Sequence, residues 1–196
     1  MKKKAIITLC LLALGTTIFA YDMSVGFGGV FGLVKDKWEN VSAPDHTRDF
    51  QFSQTQFGGF FFFGTRFTEF NFTVRYSNND IKRKFYVRED MDLPVNIHDE
   101  TLMLSVGGYG KYPFSLGTKI VLFPTLGVDF DAVDECLYLW GRGGIGLDVF
   151  FTERFFLRAQ GLYGYGINIP VIGEESDITY TPGHGPLIKL GVGWMF

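Results

Sequence analysis

Large apolar side chains recur at every second position in eight separate segments of this chain. In the clearest segment, FTEFNFTVRY, residues 70, 72, 74 and 76 are large and apolar, whereas residues 69, 71, 73 and 75 are polar. A period of two places alternate side chains on opposite faces of a β-strand. The sequence therefore predicts strands that each carry one apolar face and one polar or small face.

The spacing of these segments predicts how the strands are connected. They lie at about 21–34, 50–63, 67–76, 101–112, 118–130, 138–151, 155–167 and 187–196, with mostly alternating long and short connections. An even number of strands, with tight turns at one end and longer loops at the other, is typical of transmembrane barrels. Lipid offers the backbone no hydrogen bonds, so such a sheet has to close. We predict an all-β fold, an eight-stranded antiparallel up-and-down transmembrane β-barrel, whose last strand pairs with its first.

Residues 1–20, MKKKAIITLCLLALGTTIFA, have the parts of a secretory signal peptide. Three lysines precede an apolar run that is too short to span a bilayer comfortably, and Ala20 is a small residue at a plausible cleavage point. Cleavage would leave residues 21–196 as one barrel domain. Loss of the three lysines takes the formal charge from −3 to −6. This acidic balance argues against a nucleic-acid partner.

The alternative fold is a soluble barrel or sandwich with its apolar faces turned inwards. The polar faces would then meet water and should carry many lysines and glutamates. Here they carry mostly Gly, Ser, Thr and Asn, which suits the crowded lumen of a narrow barrel better. Aromatic residues near predicted strand ends, among them Tyr76, Tyr112, Tyr138 and Trp140, agree with the aromatic girdles of membrane barrels.

Eight charged side chains fall on the polar faces and are predicted to point into the lumen. They form two layers of mixed sign: Glu69, Lys111, Asp148 and Arg158 near the short turns, and Arg75, Asp129, Arg142 and Lys189 nearer the long loops. Asp148 and Arg158 should face each other across the 152–154 turn, and Asp129 and Arg142 are similarly placed about the 131–137 loop. We interpret these charges as a structural ion-pair ladder rather than a permeation path, because an eight-stranded lumen is narrow enough for side chains to fill.

Aromatic residues also fall on the inward side. Residues 60–63 are four consecutive phenylalanines, so at least two of them must point into the barrel. With others they predict an apolar floor near the short turns, made of Phe62, Phe123, Phe150 and Phe156. The alternative interpretation of this floor is an apolar pocket for small hydrophobic molecules.

The eight alternating segments and the aromatic terminal residue resemble small bacterial outer-membrane proteins of the OmpX, OmpA-transmembrane and OmpW type. The ending L-x-V-x-W-x-F, formed by Leu190, Val192, Trp194 and Phe196, is similar to the C-terminal signal that the outer-membrane assembly machinery recognises. Residues 21–29 resemble, less closely, the start of small spirochaetal barrels. The resemblance implies export to the bacterial outer membrane, with outer-membrane lipid and the assembly machinery as partners.

The sequence favours a structural or surface-interaction role through extracellular loops. The charged run from Asp80 to Asp92, which contains IKRKFYVRED, is predicted as a solvated loop, or alternatively as an extracellular binding strand. The rival function, implied by resemblance, is an OmpW-like channel for small hydrophobic solutes. A lipid-modifying enzyme is disfavoured because His46, His98 and His184 are all predicted in loops without a matching nucleophile motif. We therefore expect no catalytic, metal or cofactor site.

Overall fold

The computed structural model describes residues 22–40, 46–87, 95–133, 136–169, 178–180 and 183–196. These residues form ten strands, in chain order: β1 (Ser24–Asn40), β2 (His46–Gly64), β3 (Thr68–Val87), β4 (Val95–Lys111), β5 (Phe114–Ser115), β6 (Ile120–Val133), β7 (Cys136–Phe150), β8 (Phe155–Ile169), β9 (Ile178–Tyr180) and β10 (Gly183–Met195). Residues 1–20, the predicted signal peptide, lie outside the described residues. Among the described residues, no helix has the length and apolar character needed to cross a membrane.

Eight of these strands close into an antiparallel barrel, which confirms the predicted fold. Neighbouring strands follow the chain order β1-β2-β3-β4-β6-β7-β8-β10, and β10 pairs with β1 to complete the circuit. The two short strands, β5 and β9, were not predicted. Strand β5 pairs with the beginning of β6, and β9 pairs with the end of β1.

The strand register shows that the barrel is staggered. Following paired residues once around the barrel from Ala132 on β6 leads back to β6 at Leu122, ten residues away. A stagger of this kind requires strands that are tilted relative to the barrel axis. Eight tilted strands enclose an interior just wide enough for side chains to fill, and this sets the space available to every inward residue.

The polarity of the barrel is the inverse of that of a soluble protein. Leu126 is 73% exposed on the outside and Phe27 is 65% exposed, whereas Glu69 and Arg142 are each only 1% exposed. Phe70 and Val128, which a soluble barrel would bury, lie on the outer surface. The alternative of a soluble barrel with an apolar interior is therefore wrong for this structure.

We call the end with the connections 65–67, 112–119 and 151–154 the turn end, and the opposite end the loop end. At the loop end the first four strands are longer than predicted. Strand β3 continues to Val87 and β4 begins at Val95, so residues 77–87 and 95–100 are paired strands rather than loop. Backbone pairing continues there through polar sequence, because a hairpin ladder does not need the apolar alternation that reveals a strand within the membrane. The first part of the charged run, residues 80–87, accordingly lies in β3, and residues 88–92 lie outside the described residues.

Three further predictions at this end are wrong. Asp131, predicted in a loop, lies within β6. His46, His98 and His184 lie in β2, β4 and β10 rather than in loops. Trp140, predicted in an aromatic girdle, is buried in the lumen, and Tyr138 shares its inward parity on β7. The girdle prediction failed at these two residues because closeness to a strand end does not decide which face a side chain occupies.

The inverted polarity generates a test at Leu126, which lies near the middle of β6. Leu126→Arg should lower the free energy of unfolding by about 2–4 kcal/mol, the cost of a cation on the lipid face near the bilayer midplane. Thr118→Arg, at an exposed turn-end position, should change it by no more than about 0.5 kcal/mol. Urea unfolding in lipid vesicles provides the measurement. Equal, negligible effects of both substitutions, together with folding in plain buffer, would contradict a lipid-facing surface.

Candidate functional site

Four predicted lumen charges meet at the turn end. Lys111 Nζ donates to Glu69 Oε2 at 2.9 Å, and Arg158 Nη1 donates to the same carboxylate. The Arg158 guanidinium also donates hydrogen bonds from Nε and Nη2 to the two oxygens of Asp148, each at 2.7 Å. Asp148 and Arg158 are direct register partners on β7 and β8, as the hairpin symmetry predicted. We call Glu69, Lys111, Asp148 and Arg158 the turn-end cluster.

The predicted apolar floor surrounds this cluster instead of forming a separate layer. The Arg158 guanidinium carbon lies 4.2 Å from the centre of the Phe62 ring, 5.1 Å from that of Phe123 and 5.2 Å from that of Phe156. Phe150 packs on Phe156 with ring centres 5.2 Å apart. Cations over aromatic faces are stabilised by the ring quadrupole, and more so where water is excluded. The turn-end cluster and the apolar floor, which were predicted from different sequence patterns, therefore form one packed unit.

A second ion-paired cluster lies nearer the loop end. Arg75 Nη2 lies 2.6 Å from Asp131 Oδ2, and Arg75 also donates to Gln56 at 2.7 Å and to Ser105 at 3.1 Å. Ser105 in turn donates to Asp131 at 2.5 Å. Asp131 is fully buried and was missed by the sequence reasoning. Its signal was present, because it continues the inward parity of Asp129.

Asp129 and Arg142 complete this loop-end cluster. Arg142 Nε lies 2.7 Å from Asp129 Oδ2, and the Tyr109 hydroxyl donates to the same carboxylate oxygen at 2.5 Å. The two charged residues are not directly opposite, however: the register partner of Asp129 is Trp140, and that of Arg142 on β6 is Gly127. The pair is therefore diagonal. The Arg142 guanidinium carbon lies 4.4 Å from the centre of the Trp140 ring, so the inward tryptophan shields the pair.

Lys189 lies between the two clusters and differs from the other predicted lumen charges. Among the described residues it has no carboxylate partner within ion-pair distance, although it is only 1% exposed. Its ammonium group lies 5.0 Å from the centre of the Tyr109 ring and 5.6 Å from that of Phe60. Its register partner, Gln160, is buried with neither amide atom hydrogen-bonded to a described residue. The middle of the lumen is thus polar, buried and incompletely paired.

Together these side chains fill the lumen from the turn-end cluster to the loop-end cluster, and we call them the lumen plug. Three layers follow one another from the turn end to the loop end: the turn-end cluster with its phenylalanines, then Lys189 with Tyr109 and Phe60, then the loop-end cluster. Phe60, Leu162 and Leu187 pack with Phe62 and Phe156 in one buried apolar cluster. The part of the chain that the structure describes holds no group of three or more His, Cys, Asp or Glu that could bind a metal ion.

The residues of the predicted assembly signal lie on the outer face of β10. Leu190, Trp194 and Phe196 are exposed, and Val192 is partly exposed. Strand β10 is held on one side by β8 and on the other by β1, and the Phe196 amide donates to the Met23 carbonyl at 2.8 Å. The four side chains therefore extend the apolar belt down to the turn end and make no contribution to the lumen plug.

A closed barrel with an apolar outside and a charged, ion-paired inside defines a transmembrane β-barrel of the outer-membrane type. No protein-family model and no curated protein matches the sequence. Among solved structures, the chain is similar to Neisserial surface protein A, with 16% identity over 89% of this chain and 97% of that one, at a TM-score of 0.39. It is also similar to the outer-membrane protease OmpT from Escherichia coli, with 8% identity over 89% and 96% of the two chains and a TM-score of 0.36. A third is the translocator domain of the autotransporter NalP from Neisseria meningitidis, with 14% identity over 99% and 96% and a TM-score of 0.29.

The turn-end cluster predicts a large effect of a small substitution. Glu69→Gln should destabilise the barrel by about 3–5 kcal/mol, because it leaves Lys111 without its carboxylate and Arg158 with only Asp148. Glu153→Gln, in an exposed turn, should change stability by no more than about 0.5 kcal/mol. Urea unfolding in vesicles compares the two. An ion-pair role for Glu69 would be wrong if its variant were as stable as the Glu153 variant.

Proposed function

We propose that the chain is a small bacterial outer-membrane barrel that does not conduct and that acts at the cell surface. We orient the barrel with its turn end facing the periplasm and its loop end facing outwards, as in barrels with short periplasmic turns and longer extracellular segments. The observation that supports the proposal best is the filled lumen. Two ion-paired clusters and the Lys189 layer fill the lumen with buried side chains from the turn-end cluster to the loop-end cluster.

A plugged lumen has a clear electrical consequence. Purified protein in planar bilayers should show no steady openings, because an ion would have to displace buried ion pairs that hold one another in place. The rival function, an OmpW-like channel for small hydrophobic solutes, predicts a lumen that can open. Steady wild-type openings whose size changes in Arg142→Ala would support the channel and contradict the closed barrel. The protein should be reconstituted from the folded state, with Glu153→Gln as the control variant.

The surface role that we propose rests on the unequal height of the barrel wall. Strands β1 to β4 have 17 to 20 residues, whereas β6, β7, β8 and β10 have 13 to 15. The taller strands therefore form a sheet that rises above the loop end of the others. Its β1 edge is covered by β9, which pairs with residues 38–40.

The opposite edge of this raised sheet belongs to β4. Residues 95–103 of β4 pair with β3, and the pairing of β4 with β6 begins at Leu104. The edge of a sheet can be extended by an added strand through backbone hydrogen bonds. We propose that this edge pairs with an extended segment of an external polypeptide. Enzymatic activity forms no part of this function.

Shortening one hairpin tests the surface role without disturbing the plug. Asn78 and Glu100 are register partners, so residues 79–99 can be replaced by an Asn-Gly turn that rejoins β3 to β4. Peptides selected from a random library on wild-type nanodiscs should be extended binders, and the shortened variant should lose their binding completely. Unchanged urea stability of the variant controls for the barrel. Peptides that bind both proteins equally would count against the β4 edge.

A further inference from the structure

A cavity of about 260 Å³ opens at the turn end, on the turn-end side of the lumen plug. Its inner wall is formed by Lys111, Asp148 and Arg158 of the turn-end cluster, and its apolar wall by Phe123, Phe150 and Phe156. Asp22 and Arg66, at the rim, are exposed charges of opposite sign. Because the lumen plug closes the cavity on its loop-end side, a ligand could enter and leave only through the turn end.

On the charged wall of this cavity, Lys111 has hydrogen-bond donors that its ion pair does not use. The Arg158 guanidinium and both oxygens of Asp148 are committed to each other, and Arg158 also binds Glu69. Lys111 uses one ammonium hydrogen on Glu69, while an ammonium has three donors. Lys111 is nine-tenths buried and lines the cavity, so its remaining donors favour an acceptor there.

The size and the apolar wall define what else the ligand must contain. Cavities for drug-sized ligands measure roughly 300–1,000 Å³, so this cavity suits a smaller molecule. An apolar cavity of about 150 Å³ can bind benzene, which leaves room here for one ring and a small polar group. Lys111 Nζ lies 5.5 Å from the centre of the Phe123 ring, so its donors and the aromatic wall are within reach of one small molecule.

We propose that this cavity binds a small aromatic carboxylate. The carboxylate accepts hydrogen bonds from the Lys111 ammonium group, and the ring packs against Phe123, Phe150 and Phe156. Binding takes place from the periplasmic side and requires no passage through the barrel. The site is therefore independent of the proposed surface function, and either could fail while the other holds.

Benzoate is the probe, titrated into the protein in nanodiscs and followed by the backbone amide NMR signals of Ser115, Val121 and Phe123. Benzoate should produce saturable shifts, with affinity roughly ten- to a hundred-fold above that of neutral benzyl alcohol, as expected for a charge-assisted hydrogen bond. Lys111→Met should remove this preference. Val121→Trp, on the inner face of β6 at the cavity wall, should abolish binding of both probes.

Two matched variants separate the cavity from the surrounding surface. Lys119→Met removes an exposed turn-end lysine, and Leu122→Trp places the same ring on the outer face of β6; both should bind benzoate as the wild type does. Shifts that do not saturate, or benzoate binding that survives Val121→Trp, would overturn the proposal. If Lys111→Met fails to fold because Glu69 loses a partner, the contrast between Val121→Trp and Leu122→Trp still decides the outcome.

Discussion

A bilayer offers no hydrogen bonds to the backbone, so the strands of this chain must all be paired with one another. The pairing of β10 with β1 closes the sheet and meets this requirement. Paired residues run from Ser24 opposite Met195 up to Lys35 opposite His184, so both edges that an open sheet would expose to lipid are satisfied. The number of strands and their stagger then fix the radius. Everything inside the barrel follows from that radius, because the lumen is too narrow to hold bulk water and must be filled by side chains.

Burying charged side chains in a narrow lumen is costly unless they are paired. Five cations and four carboxylates of the described residues are buried there, and all except Lys189 are ion-paired. Buried ion pairs add little net stability over apolar packing, but breaking one is costly. The clusters therefore act as constraints: Arg158 links β8 to both β3 and β7, and Arg75 links β3 to β6. The link from Arg158 to Glu69 crosses the lumen, because β8 and β3 lie four strands apart around the barrel.

Most of the fold could be predicted because one face of each strand meets lipid. Beyond the lipid, large apolar residues no longer alternate with polar ones. The sequence therefore predicts a loop at residues 77–87, although these residues pair in β3. The lumen charges could be placed on the correct face by parity, as Glu69 and Arg158 show. Their partners could not all be deduced, because a stagger of ten residues brings Glu69 beside Arg158 from a strand far away around the barrel. Asp131 is absent from the predicted lumen charges for a simpler reason. The predicted strand ends at residue 130, one residue before it, whereas β6 continues to Val133.

The plug separates the two ends of the molecule. At the loop end, β1 to β4 extend beyond the other strands and form a raised wall. At the turn end, the same charges that close the lumen also form the wall of a cavity. Lys111 illustrates this double use, since it donates to Glu69 within the plug and also lines the cavity. A narrow barrel whose lumen is filled by side chains can in this way carry distinct chemistry at each of its two ends.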